Sequence, residues 1–174
     1  IRKSKPQDIG RIMEIYGIAR DFMEKHGNPN QWGATNWPPT ELIANDIENG
    51  NSYVCLNNKI IATFFFVQGK DIEPTYAEIT NGSWIDDALY GVIHRIASDG
   101  TKRGVGSFCI NWAYEQCNHL RIDTHVDNLI MQNLLEKLGF IHCSTIYVEK
   151  DNYPRLAYEK TRKWINHHKF ETID

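Results

Sequence analysis

Apolar side chains at Ile9, Ile12, Met13, Ile15, Tyr16, Ala19, Phe22 and Met23 recur every three or four positions. That spacing predicts a helix, with Gly27 as its stop. Asn28–Thr40 then gathers two tryptophans and three prolines and reads as loop, with Thr40 placed to cap a second helix ending at Gly50. The pattern next becomes nearly continuous apolar runs. "SYVCL" and "KIIATFFFVQ" flank Asn57-Asn58 and predict a hairpin. "TYAEI" reads as a short strand, Trp84–Ala88 as a turn, and "GVIHRIAS" (Gly91–Ser98) as a strand.

The second half alternates strand and helix. Val105, Phe108, Cys109, Trp112 and Ala113 share one helical face, and "LRIDTH" (Leu120–His125) is a strand. Asp127 or Asn128 can cap a helix facing inward through Met131, Leu134, Leu135 and Leu138, and Gly139 ends it. "FIHCSTIYVEK" and "RLAYEKT" close the pattern as strands. An α/β or α+β domain with its ligand loop in the middle follows from this order.

Composition narrows the classes without choosing one. With 174 residues, 41% hydrophobic and 11% aromatic, the chain predicts a single globular domain over residues 1–174, with 162–174 as a tail. The net charge of −3 disfavours nucleic acid as the main partner. The longest apolar run, Ile60–Val67, is too short for a bilayer, so no membrane partner is expected. Cys55, Cys109, Cys117 and Cys143 form no CxxC pair, which fits reduced thiols in a cytoplasm. No metal-ligand spacing occurs, and His167 and His168 in the tail have no spacing partner.

The stretch with the most chemistry is "DGTKRGVGSF" (Asp99–Phe108), three glycines and two basic residues between a strand and a helix. GxxxxGK[ST] fails here, because Val105 and Gly106 stand where Gly-Lys should be; GxGxxG from Gly104 fails because Cys109 occupies the third glycine position. What remains is Gly-x-Gly at a helix start. Unpaired first-turn amides, a positive dipole end and the charges of Lys102 and Arg103 suit an anion there. A plain tight turn with surface lysine and arginine is the other reading.

The glycine loop with its helix, then a strand, an Asn at position 128, and a helix ending in "KLGF" resembles the GNAT superfamily of N-acetyltransferases over about Gly91–Phe140. That family's loop reads Q/R-x-x-G-x-G/A; here Thr101-Lys102-Arg103-Gly104-Val105-Gly106 keeps both glycines and puts Thr101 at the Gln/Arg position. The resemblance implies a mixed, mostly antiparallel sheet of six to seven strands, flanking helices and a splayed parallel strand pair. It implies acetyl-CoA as cosubstrate, with the pyrophosphate on the amides of Arg103, Gly104, Val105, Gly106 and Ser107. The pantetheine arm would lie along Ile96, Ala97 and Ser98 and meet Asn128. Many members carry a tyrosine acid four residues before the Gly-Phe glycine; Leu135 stands there in this chain.

Acetyl transfer to an amine needs a proton acceptor, and a near-neutral histidine suits that role. His94, in phase with Val92 and Ile96, falls where some members of the family hold a catalytic histidine. Its alternative role is a core histidine. Glu78 is a second candidate base, on one sheet face with Tyr76 if "TYAEI" is a strand. Tyr147 is the candidate replacement acid. Trp32, Trp37, Trp84 and Tyr76 are candidates to line the acceptor side, although tryptophans more often pack. His125 reads as a helix-entry residue. The expected partner is a small-molecule or peptide amine, and a homodimer is allowed. Besides an acetyltransferase, a non-catalytic acyl-CoA-binding module and an unrelated α/β domain with a glycine turn are the competing classes.

Overall fold

Strands and helices alternate around one seven-stranded sheet in a computed structural model that describes residues 1–147 and 153–162. The strands are β1 (Arg2–Lys3), β2 (Ser52–Asn57), β3 (Lys59–Gly69), β4 (Tyr90–Ser98), β5 (His119–His125), β6 (Ile141–Tyr147) and β7 (Pro154–Thr161). The helices are α1 (Ile9–Lys25), α2 (Thr40–Glu48), α3 (Val105–Cys117) and α4 (Leu129–Lys137), and short 3-10 turns complete the order. Sheet order is β1-β2-β3-β4-β5-β7-β6. β1–β2, β2–β3, β5–β7 and β7–β6 are antiparallel. β4 and β5 are parallel, with Gly91 opposite Leu120 and Val92 opposite Arg121. A mixed, mostly antiparallel sheet of seven strands with this one parallel pair among the described residues is what the resemblance implies.

The chain divides into two compact units. One comprises Ile1–Val67 with Ile93–Asn111. Its core joins Ile12, Ile15 and Tyr16 of α1, Ile43 and Ile47 of α2, Val54 of β2, Ala97 of β4 and Trp32 from the loop. Each fully buried aliphatic side chain in it contributes about 1.5–3 kcal/mol. The other unit comprises Gln68–Val92 with Trp112–Asp174. It buries Leu120, Ile122, Leu135, Phe140, Ile146, Ala157 and Tyr158.

Local chemistry sets most boundaries where the hydrophobic pattern puts them. Gly27 and Gly139 take φ near +80° after α1 and α4, and Asn58 takes +63° in the β2–β3 turn. Four expectations need correction. "TYAEI" is not a strand: Pro74–Tyr76 is a 3-10 turn, because Pro74 presets its first residue and Glu73 caps it through Thr75 N at 3.2 Å and Thr75 Oγ1 at 2.7 Å. Thr40 is the first residue of α2 and does not cap it; the N-cap position falls on Pro39. Phe108 is 57% exposed, and the buried face of α3 is Val105, Cys109, Ile110 and Ala113. Strand alternation does not run through β4, because Arg95 has φ +52° and breaks the phase between His94 and Ile96. Residues Val148–Lys150 of the expected sixth strand, and the tail with His167 and His168, lie outside the described residues.

Candidate functional site

Strand β4 runs straight into the glycine loop. Ile96 and Ser98 are half-buried and Ala97 is buried; Thr101, Lys102, Arg103 and Gly104 are exposed. Gly100 and Gly104 take φ +72° and +80°, and a Cβ on either would meet nothing within 4 Å. Their need is therefore conformational, and the face they present is open. Val105 is buried and pins the first turn of α3, while Gly106 and Ser107 are half-buried. The amides of Val105, Gly106 and Ser107 have no intrahelical acceptor; the ladder starts with Phe108 N donating to Gly104 O at 3.0 Å. An open glycine face, first-turn amides without an intrahelical acceptor and two exposed cations fit a pyrophosphate.

Asp99 organises this loop. Its Oδ1 accepts from Thr101 N at 3.0 Å and Thr101 Oγ1 at 2.6 Å, and its Oδ2 meets the Arg11 guanidinium at 2.5 Å and Lys59 Nζ at 3.8 Å. Asp99 N donates to Ile61 O at 2.9 Å. Burial pushes its carboxyl up, but the Thr101 hydrogen bonds and the Arg11 and Lys59 charges outweigh this and leave it below the usual range.

Upstream, His94 is half-buried with its ring 6.0 Å from that of Phe65. Arg95 beside it is held in its left-handed conformation, which costs about 1–3 kcal/mol for such a residue. Three contacts hold it: Tyr16 Oη donates to Arg95 O at 2.9 Å, Arg95 Nη2 donates to Asp46 Oδ2 at 2.6 Å, and the guanidinium lies 4.7 Å over Phe65. Burial raises the Asp46 carboxyl although Arg95 and His94 both pull it down. Trp32 packs edge-on against Tyr16 in the core, with ring centroids 5.7 Å apart. It is a packing residue here, and Trp37 packs against the same cluster.

In the other unit, Tyr76 and Trp84 come together, at 5.0 Å between centroids. They serve to tether the segment between β3 and β4. Tyr76 is buried and donates to Asp123 Oδ1 at 2.8 Å, and Trp84 Nε1 donates to Tyr76 O at 2.9 Å. Burial drives the Tyr76 hydroxyl well above its ordinary range, and the Asp123 carboxylate adds to this. Arg121 is stacked between Trp84 at 4.2 Å and Tyr90 at 4.0 Å and donates to Glu159 Oε1 at 3.0 Å. Glu159 also takes Ile85 N and His119 Nε2. Glu78 is exposed just past the 3-10 turn, so the shared face with Tyr76 is lost with the strand. Tyr147 ends β6 and is 59% exposed. Asn128 caps α4, accepting from Met131 N at 3.1 Å. His125 Nδ1 accepts from Asp127 N at 3.1 Å, as a helix-entry residue does. Leu135, at the family's tyrosine position, is fully buried.

Neither a family model nor a curated protein matches this sequence. Solved structures do. An acetyltransferase of the GNAT family from Streptococcus agalactiae is 30% identical, with a TM-score of 0.83 over 92% of this chain and 94% of that one. The chain belongs to the GNAT family of acetyltransferases. More distant GNAT-like folds agree in shape. A ribosomal-protein-alanine N-acetyltransferase from Brucella melitensis is 16% identical, with a TM-score of 0.58 over 92% of this chain and 98% of its own. NAA60 from Arabidopsis thaliana, solved in complex with acetyl-CoA, is 12% identical, with a TM-score of 0.62 over 92% and 97%. Among the described residues of this GNAT chain, no helix is long and apolar enough to cross a membrane.

Sequence reasoning missed Asp99, Arg95, Asp46, Arg121 and Glu159. Asp99-Gly100-Thr101 did carry a signal, since an Asp two residues before a Thr in a glycine turn is a local hydrogen-bonding unit. Arg95 carried none, because its left-handed conformation is imposed by partners 49 and 79 residues away.

Proposed function

We propose that this GNAT chain is a cytoplasmic N-acetyltransferase that moves the acetyl group of acetyl-CoA to a primary amine, free or on a peptide, by direct attack. The observation that carries the reading is the β4–loop–α3 segment, where an open glycine face and first-turn amides without an intrahelical acceptor follow one strand of the parallel pair. Amides of Arg103–Ser107 would hold the pyrophosphate, with Lys102 and Arg103 adding charge. Main-chain groups of Ile96–Ser98 would pair with the pantetheine amides like an added strand, and Asn128 would meet the same arm. Bound acetyl-CoA supplies an activated acyl group.

The chain's own residues then have little left to do. His94, half-buried at the left-handed turn of β4, accepts the proton that the amine must lose, directly or through one water. No covalent intermediate on the protein is needed. Expelling the thiolate is easier than expelling the amine, because a thiolate is by far the weaker base, so release needs no strong acid. Tyr147 is the candidate donor if one is used, and Glu78 the second candidate base.

Buried Leu135 at the usual tyrosine position favours one other reading, a non-catalytic acyl-CoA-binding module. Acetyl-CoA consumption measured across a panel of amines separates the two: an amine-dependent rate supports transfer, and coenzyme A binding without any such rate supports the module. Calorimetry with Gly106→Val tests the cradle itself. A branched side chain would take phosphate space, so coenzyme A binding should be abolished in a folded variant. Retained tight binding would remove the basis of both readings.

A further inference from the structure

One carboxylate holds the loop between β4 and α3 from both sides. The two oxygens of Asp99 divide the work. Oδ1 takes the backbone and hydroxyl of Thr101, and Oδ2 takes the guanidinium of Arg11. Arg11 is itself fixed, with Nε donating to Ile60 O at 3.0 Å and Nη1 paired to Glu14 at 2.8 Å. The Asp99 side chain is only 3% exposed, against 23% for Arg11 and 63% for Lys59. The loop that follows is otherwise exposed from Gly100 to Gly104 and has left-handed glycines at both ends. Such a segment would lose much entropy in adopting one shape around a ligand, and a fixed internal anchor removes part of that cost beforehand.

We infer that Asp99 is a positioning residue for the coenzyme loop: with Arg11 and Thr101 it forms a clamp that presets the anion cradle and ties it to α1 and β3. The inference rests on the coenzyme reading of that loop. It also accounts for Thr101 at the position where the family usually has Gln or Arg. In this chain a short hydroxyl residue is what can fold back on Asp99 through both its amide and its Oγ1.

Charge alone predicts the opposite behaviour, which makes the clamp testable. Asp99 is an anion beside a site for anions, and removing it leaves Arg11, Lys59, Lys102 and Arg103 less opposed. A purely electrostatic role therefore predicts tighter coenzyme binding in Asp99→Ala, whereas the clamp predicts weaker binding. Thr101→Val deletes one hydrogen bond and changes no charge.

The experiment is calorimetry with coenzyme A on wild type, Asp99→Ala and Thr101→Val, with kinetics on acetyl-CoA and on acetylpantetheine, which lacks the nucleotide and its phosphates. The clamp predicts about tenfold or greater loss of coenzyme A affinity in Asp99→Ala and a smaller loss in Thr101→Val. KM for acetyl-CoA should rise with little change in kcat, and kcat/KM for acetylpantetheine should not change. Unchanged or tighter coenzyme A binding in the folded variants overturns the clamp, and so does an equal loss with acetylpantetheine, which would mark a general structural role. If Asp99→Ala does not fold, Thr101→Val alone decides by the same criteria. Wild type that binds no coenzyme A overturns the coenzyme reading and the clamp with it; wild type that binds while the variants bind equally well overturns only the clamp.

Discussion

Two carboxylates act as hubs in this molecule, and they differ in what they hold. Asp99 gathers Thr101, Arg11 and Lys59 around an exposed loop. Glu159, with no exposed surface, gathers His119, Arg121 and the amide of Ile85 in the interior of the other unit. Burial pushes both carboxyls up, and in both the partners reverse the shift and leave the group below its ordinary range. The partners' exposure is what separates them. Arg11 and Lys59 can turn to water when Asp99 is lost, whereas Arg121 and His119, both nearly buried, cannot. A hub with wet partners shapes a ligand loop at little cost to folding. A dry one decides whether its surroundings fold.

The largest effect should come from Glu159→Ala. Removing one partner of a buried ion pair leaves the other uncompensated, which costs about 3–5 kcal/mol. Denaturant unfolding should show that loss, whereas Asp99→Ala should lose about 1–2 kcal/mol at most. Equal losses at the two positions would break the comparison. Coenzyme A affinity should respond in the reverse order, unchanged by Glu159→Ala in the fraction that folds.

His94→Ala asks whether chemistry can be separated from both hubs. Losing a proton acceptor costs about 10²–10⁴-fold in rate, roughly 3–5 kcal/mol of barrier. Turnover should fall by that order, and fall least at high pH, where the free amine forms unaided. Coenzyme A affinity and unfolding should change little. A variant with wild-type turnover and pH profile would make His94 a core residue and move the base to Glu78.

Acid unfolding sharpens the contrast with a sign. Glu159 has a folded pKa below its unfolded value of about 4.3, so its contribution is fully present above that value. It is lost as pH falls through the unfolded value toward the folded one. The stability gap between wild type and Glu159→Ala should therefore shrink progressively as pH falls below about 5, measured by denaturant titration at each pH. A gap that stays constant across that range would mean the carboxylate contributes through packing, not charge.

The sequence is uneven as a guide to these two regions, for a physical reason. The loop, α3, the Asn128 cap and the Gly139 stop are legible because their determinants are local: glycines at left-handed positions, a cap three residues from its donor. The 71–89 segment is not. Its tether joins Tyr76 to Asp123, Ile85 to Glu159 and Asp86 to Arg121, across 47, 74 and 35 residues. Alternating apolar residues in "TYAEI" suggest a strand, but Pro74 and the Glu73 cap act on their immediate neighbours and win. His94 is legible as a candidate, while the turn at Arg95 beside it is not. Arginine rarely takes a left-handed conformation, and Tyr16 and Asp46, brought in by α1 and α2, hold it there.

The smallest predicted effect tests whether the loop binds through shape or through charge. Lys102 is exposed and stands outside the Asp99 clamp, so it acts on a bound anion only across solvent. Exposed charges of this kind are worth little and are screened by salt. Lys102→Ala should weaken coenzyme A binding by less than about fivefold at low ionic strength. The difference from wild type should shrink further near 1 M salt, where the Debye length falls to about 3 Å. Gly106→Val, which changes no charge, should remain defective at every salt concentration. If Lys102→Ala instead loses affinity as heavily as Asp99→Ala, and salt does not reduce the loss, then a direct contact of the lysine holds the anion, and the preset shape of the loop is the lesser contribution.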